Sequence, residues 1–474
     1  MASEQSFGNM ISKFEEKHDI GEIPESERIR KPSSLFFIWF GSNLTIGDLA
    51  LGLLAQSYGM PLFWTLLSVT LGTIAGGVLL SIMSVMGPKA GYPQMIIGRQ
   101  SFGRAGGSIM AALQWINTTG WLVFNTIIAA FALALLTYTT GSINLAGMPV
   151  GLYIIPILIV SAFVFLLAFM GHSLVHTFEK IMSVVIGVLF IYISVKSLQN
   201  ISVISASAPA ALSIQDLTFY FAAVFALSFS YIMSWGPYAS DYSRYVSPSA
   251  KGSRVFWMTF LGSVLSTLWA ELAGIAIFIF TSSFDFSNPA PAIQSFLGPL
   301  AYIGLITLVL GGLSANALNL YSNSLSFKTI GFRTNRKVLL VFTTIVAVAF
   351  SYFGFLSFYP GYESFLFLLD YWITPWLGVM IADFFLVRRG TFSIRQPAFN
   401  WRGILSYLIA VLVSIPFINQ YYNTVYSYEG PVAYMLGGTY GADISYFISF
   451  FLAMILYSMF FRLGTSKSIK TATT

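Results

Sequence analysis

Long apolar runs recur along this chain, and they limit its fold more than any other feature. A helix that crosses a bilayer needs ~20 mostly apolar residues. Twelve segments meet that measure: 35–56, 62–87, 106–137, 150–170, 175–198, 217–239, 255–282, 298–325, 338–358, 362–387, 402–420 and 443–461. Charged residues make up 9% of the chain and hydrophobic residues 56%, whereas soluble domains carry about 25% charged residues. The pattern predicts an all-α membrane protein of twelve transmembrane helices, with the lipid bilayer as its solvent.

The basic residues report topology. With twelve spans, 23 of the 24 Lys and Arg fall in the tails and loops of one side, and only Lys196 falls opposite. One helix more or fewer would invert every later loop and erase this asymmetry. The positive-inside rule therefore predicts twelve spans with both termini cytoplasmic, and the expected location of this multi-pass protein is the cell (plasma) membrane. The formal charge of +6 is accounted for by these loops, so nucleic acid is not expected as a partner. The first 34 residues hold seven acids and five Lys or Arg, the reverse of a cleavable signal peptide. Insertion is expected to be directed by the first spanning helix. Oligomeric state is not legible.

Five regions follow: a cytoplasmic tail (1–34), segments one to five (35–198), segments six to ten (217–387), two accessory helices (402–461) and a C-terminal tail (462–474). The two five-segment blocks are similar in length. Five is odd, so the second enters the membrane from the opposite face. Inverted repeats of this kind place a site at the midplane, where discontinuous helices meet. Segment one carries Gly41, Ser42, Asn43 and Thr45 in its middle, with Asp48 just beyond. Such groups suit a broken helix facing protein or a water-filled cavity. Segment six, its counterpart, carries Ser228, Ser230, Ser234 and the Gly236–Pro237 pair.

Chemistry-bearing residues are sparse. The chain has no cysteine and three histidines, His18, His172 and His176, without metal-ligand spacing. It shows no nucleophile–base pair, P-loop or dinucleotide turn, so neither an enzyme, a metal nor a cofactor is expected. Transport driven by an ion gradient is the economical reading. In segment three, Trp121 and Asn125 lie four apart and share a helix face. Segment eight carries Ser314, Asn316, Asn319, Ser322 and Asn323. Amides on two helices and an aromatic plane suit a flat, neutral ligand with donor and acceptor edges. Asp48 is the carboxylate best placed to carry a coupling proton. Glu271 reads as a structural hydrogen-bonding group. Glu179, Asp241 and Asp383 lie near the basic side, within reach of Lys and Arg.

An ordered set of motifs resembles the nucleobase–cation symporters, specifically the purine/cytosine permease branch. The set is GEIPESER in the tail, WFGSNL, GYPQMIIGRQSFG, GWLVFN, HTFEK, SWGPYASDYSRY, NLYSNSLS, LDYWITPW and ADFFLVRRG. The resemblance implies a leucine-transporter-type fold, with two inverted five-helix repeats and two extra helices. It implies that Trp121 and Tyr231 sandwich a planar ring while Asn125 and Asn319 bind its edges. Ser230, Asn316 and the backbone at Gly41, Ser42 and Asn43 complete the cradle. Three positions depart from the family. Sodium-coupled members offer two adjacent hydroxyls on segment eight, where this chain has Leu313 and Ser314. Leu318 stands in place of a proline, and Asp48 in place of a neutral residue.

The expectation is a secondary active importer of a cytosine- or purine-type nucleobase. It works by alternating access with a coupled cation, H+ in preference to Na+, through Asp48 and Ser314. Allantoin or hydantoin, pyridoxine and thiamine are alternative heterocycles. A passive channel would need pore-lining rings or an oligomeric filter, and neither is visible.

Overall fold

The computed structural model describes residues 18–138, 150–199, 212–281, 290–332, 334–354, 358–420, 423, 425–438 and 441–471. Residues 1–17 of the expected tail, with Lys13 and Lys17, lie outside them, as do Arg333 and the last three residues.

The chain is almost wholly helical. In order it forms α1 (Ser33–Asn43), α2 (Ile46–Ser57), α3 (Leu62–Ser84), α4 (Met86–Ala90), α5 (Gln94–Tyr138), α6 (Ile154–Met170), α7 (His172–Gln199), α8 (Ile214–Met233), α9 (Ala239–Ser243), α10 (Gly252–Thr281) and α11 (Ala290–Leu297). It continues with α12 (Ala301–Ile330), α13 (Arg336–Gly354), α14 (Phe358–Ile381), α15 (Trp401–Ser414), α16 (Pro431–Gly437) and α17 (Ser445–Thr471). Among the described residues, ten helices are long and apolar enough to span, and the bent pair α1–α2 makes eleven.

The expected segment 402–420 is the one that falls short. Pro416 sits in a 3-10 turn, Ile415–Phe417, that ends the helix. Asn419 and Gln420 then pair antiparallel with Glu429 and Tyr428. A helix of this length, at about 1.5 Å per residue, reaches about 25 Å, less than the ~30 Å hydrocarbon core.

Sequence period decides which faces meet lipid. On α7, Ile181, Val184, Val188, Ile191 and Val195 recur every three or four residues and are exposed. Ile186, Phe190 and Ile193 on the opposite face are buried. The polar residues are inside: Asn117, Asn125, Asn316, Asn319 and Asn323 are all buried.

Small residues let the central helices touch. A Cβ on Gly52 of α2 would lie 2.0 Å from the Glu271 carbonyl oxygen of α10, and one on Gly274 would lie 2.1 Å from that of Leu49. Helix α12 packs most extensively on α5, α8 on α3, and α10 on both α1 and α2. The loop expected before segment three is largely helical, because α5 starts at Gln94 and turns at Gly103 (φ 82°). That left-handed backbone favours glycine.

The loops expected on one side do meet at one end. Arg30 bonds His176 at 2.8 Å, Arg244 donates to the Asp19 carbonyl at 2.9 Å, and Arg99 donates to the Thr329 carbonyl at 2.8 Å. Arg28 reaches the Pro88 carbonyl at 3.2 Å, and Arg388 pairs with Asp383 at 2.8 Å.

Candidate functional site

The first break is built by side chains that stop one helix and start another. Asn43 Nδ2 donates to the Trp39 carbonyl at 2.8 Å and Ser42 Oγ reaches it at 3.4 Å, which satisfies the end of α1. Thr45 is extended (φ −116°, ψ 167°) and caps α2. Its hydroxyl donates to Asp48 Oδ2 at 2.7 Å and accepts from the Asp48 amide at 3.4 Å. This reciprocal cap satisfies donors that an interrupted helix would otherwise leave bare. The axis turns by 57° across the break. Asp48, expected as the coupling carboxylate, is thus a buried capping group. Tyr231 Oη of α8 also donates to it, at 2.7 Å.

The second break is gentler. Helix α8 ends at Met233, a 3-10 turn covers Gly236–Tyr238, and α9 follows. Ile214 to Ser243 still runs as one span. Ser234 Oγ donates to the Tyr231 carbonyl at 2.7 Å and Asn117 Nδ2 to that of Ser234 at 3.4 Å. Pro237 sits early in the turn, where a missing amide proton does least harm.

Between the breaks lies an aromatic cluster. The Trp121 and Tyr231 rings meet edge to face, 5.0 Å apart at 81°. Phe365 and Tyr362 of α14 meet Trp121 at 5.3 and 6.2 Å. The two rings expected to flank a planar ligand are in direct contact here, so a flat ring enters between them only if they part. Asn125 Oδ1 and Tyr231 Oη approach the same point, 3.4 and 3.2 Å from where a Gly47 Cβ would be.

The amides divide by role. Asn316 Nδ2 donates to the Leu122 carbonyl at 3.1 Å and to Thr126 Oγ1 at 3.0 Å, and its Oδ1 accepts from Asn125 at 3.2 Å. It fastens α12 to α5. Asn319 Oδ1 accepts from Tyr238 Oη at 2.8 Å. Trp121 Nε1, Asn125 Oδ1 and Asn319 Nδ2 are among the buried side-chain atoms that find no hydrogen-bond partner among the described residues, as are Asn43 Oδ1 and Asp48 Oδ1. Ser230 points elsewhere, donating to the Leu366 carbonyl of α14 at 2.5 Å. Glu271 accepts from Thr73 of α3 at 2.7 Å.

Glu179 departs from its sequence reading. No Lys or Arg side chain bonds it among the described residues; it accepts from Ser314 Oγ at 2.6 Å. Ser314 also lies 3.4 Å from the Gly41 carbonyl oxygen. A signal was available, since neither position three nor four residues to either side of Glu179 holds Lys or Arg. Thr45, named in the sequence only as a polar residue of segment one, proves to be the cap of α2, and Tyr238 is a further site residue that sequence reasoning passed over. Thr45 was detectable as the first residue of a T-x-x-D cap. Tyr238 carried no local signal.

The family model for permeases of cytosine/purines, uracil, thiamine and allantoin matches residues 22–449. A putative purine-cytosine permease of Bacillus subtilis, YxlA, is 29% identical over 458 residues, covering 93% of this chain and 95% of that one. The purine-cytosine permease fcyB of Emericella nidulans is 26% identical over 470 residues, covering 93% and 88%. Among solved structures, the chain is similar to the closed conformation of Mhp1, a nucleobase-cation-symport-1 family transporter with bromovinylhydantoin bound. That match has a TM-score of 0.74 at 19% identity, covering 95% of this chain and 96% of that one. The fold is thus the one the motifs implied, a helical transporter fold with broken helices at its centre. This integral membrane protein is a transporter rather than an enzyme, and it belongs to the family of permeases for cytosine/purines, uracil, thiamine and allantoin.

Proposed function

We propose that the protein is a secondary active importer of a cytosine- or purine-type nucleobase, working by proton symport and alternating access. It resides in the plasma membrane with both termini in the cytoplasm. The observation that carries the ligand class is the set of unpartnered edges on Trp121 and Asn125 at the aromatic cluster and on Asn319 beside Tyr238. Trp121 Nε1 and Asn319 Nδ2 offer donors, and Asn125 Oδ1 offers an acceptor. A buried polar edge without a partner costs about 1–3 kcal/mol. A heterocycle with complementary edges offsets that cost, whereas an aliphatic solute does not. Trp121 and Tyr231 supply ring faces for stacking once they separate.

Proton coupling is supported by the residues at the breaks. Leu313 and Ser314 offer one hydroxyl where sodium-coupled members of the resembled family offer two. Carboxylates lie there instead, Asp48 at the first break and Glu179 against Ser314. A second ligand reading, another flat heterocycle such as allantoin or a hydantoin, is favoured by the family description and by the hydantoin bound to Mhp1.

A thermal-shift screen of the purified protein tests the ligand class, using cytosine, adenine, hypoxanthine, uracil, allantoin, pyridoxine and thiamine. A ligand that binds only the folded state raises its melting temperature. Stabilisation by a nucleobase, followed by uptake into vesicles under an imposed pH gradient, is the expected result. Uptake that never exceeds the external concentration would make the protein a passive channel, and a strict sodium requirement would overturn proton coupling.

A further inference from the structure

Glu179 stands at a junction of three helices. It lies on α7 and is fully buried. Its Oε2 accepts from Ser314 Oγ of α12 at 2.6 Å, and that hydroxyl lies 3.4 Å from the Gly41 carbonyl oxygen in the last turn of α1. Helix α1 can come this close only because residue 41 is glycine. A Cβ there would lie 2.9 Å from both the Glu179 carbonyl oxygen and its Oε2. The second carboxylate oxygen, Oε1, finds no hydrogen-bond partner among the described residues.

The surroundings are poor in charge. The Tyr242 phenol, which follows the second break, is within electrostatic range of Glu179 and bonds the Leu318 carbonyl and Ser322. On α7 itself His176 lies three residues before it and Lys180 one after. His176 is bonded to Arg30 at the end where the basic loops meet. From α1 and α12 the neighbours are Gly41 and Ser314, neither of them ionisable. A carboxylate at this depth is costly when ionised and unpaired, so its protonated and ionised forms demand different surroundings. The protonated form suits the dry contact between α1, α7 and α12. The ionised form requires water, and the polar groups nearest along its own helix toward the end where the basic loops meet are His176 and its partner Arg30.

We propose that Glu179 is the proton-binding group of the transport cycle: a bound proton holds α1 against α7 and α12, and its release toward the His176–Arg30 end lets α1 move away. This rests on the proton-symport reading above and places the coupling on Glu179, leaving Asp48 as the cap of α2. Because α1 ends at the same break that α2 and Asp48 begin, proton occupancy and ligand occupancy act on one element. Two ligands that favour one state of a shared element bind cooperatively.

The test uses purified full-length protein in proteoliposomes, with the nucleobase that gives the largest thermal shift. For one proton per substrate, the wild type accumulates about tenfold per unit of pH gradient. Glu179→Gln is expected to exchange internal for external nucleobase while its accumulation ratio falls to about one, whatever the gradient. Glu179→Asp restores part of the gradient response. Asp48→Asn raises KM and keeps that response. Wild-type-like accumulation by Glu179→Gln, or loss of the gradient response in Asp48→Asn alone, overturns the assignment to Glu179 and leaves proton symport standing. A wild type that ignores the pH gradient overturns both. Should Glu179→Gln fail to fold, Ser314→Ala decides. It removes a donor to the carboxylate, so the pH midpoint of the uptake it retains moves upward; an unmoved midpoint overturns the proposal.

Discussion

The Tyr231 hydroxyl donates to Asp48 Oδ2 at 2.7 Å, and this bond ties α8 to the start of α2 across the centre of the molecule. Thr45 Oγ1 lies 3.0 Å from the same phenol oxygen and bonds the same carboxylate. The three groups join the two interrupted helices. Tyr231→Phe therefore removes a cross-helix bond as well as a polar edge of the site. We expect a stability loss of about 1–3 kcal/mol, as for a buried carboxylate that loses a donor, together with weaker nucleobase binding. Thermal unfolding with and without ligand separates the two effects.

Trp121→Ala and Asn319→Ala are each expected to abolish uptake while leaving membrane expression intact. Trp121 contributes a ring face and an unpartnered donor, and Asn319 a second unpartnered donor. Transport assays paired with surface quantification check this. Wild-type-like uptake by both variants would remove the site from this cluster.

Asn316→Ala should behave differently, because all its polar atoms are bonded to α5. Cross-helix side-chain bonds in membranes contribute about 0.6–2 kcal/mol. A lower melting temperature is expected, with ligand affinity falling less than in Asn319→Ala. Binding isotherms on the two purified variants give the comparison.

Gly52→Ala is expected to reduce the yield of folded protein sharply, since the new methyl would meet the Glu271 backbone at 2.0 Å. Gly437→Ala, where a Cβ meets nothing within 4 Å, serves as the control and should leave yield unchanged. Fluorescence size-exclusion chromatography of both variants reads the difference.

Much of this protein is decided by short-range properties that a sequence carries openly. Apolar run length determines which segments enter lipid, because unpaired backbone groups cannot remain there. The Lys and Arg distribution determines which loops share a side, and Arg30, Arg99 and Arg244 indeed engage their partners at one end. The first break was visible as Gly41, Ser42 and Asn43 within a spanning segment, since each weakens a helix locally. The count of spans was less secure, because Pro416 and the hairpin beyond it shorten Trp401–Phe417 in a way that mean hydropathy does not register.

Partnership was a different matter. Nothing near Asp48 in the sequence names Tyr231, 183 residues away, as its donor. Nothing near Glu179 names Ser314, 135 residues on. Asn316 and Asn319 are three residues apart and chemically identical, yet one fastens two helices while the other keeps an amide nitrogen without a partner among the described residues. Hydrogen-bond partners inside a membrane protein are set by which helix faces meet and at what depth. That is a property of the packed bundle, so only the tertiary structure separated the residues that hold the helices together from those left to face a ligand or a proton.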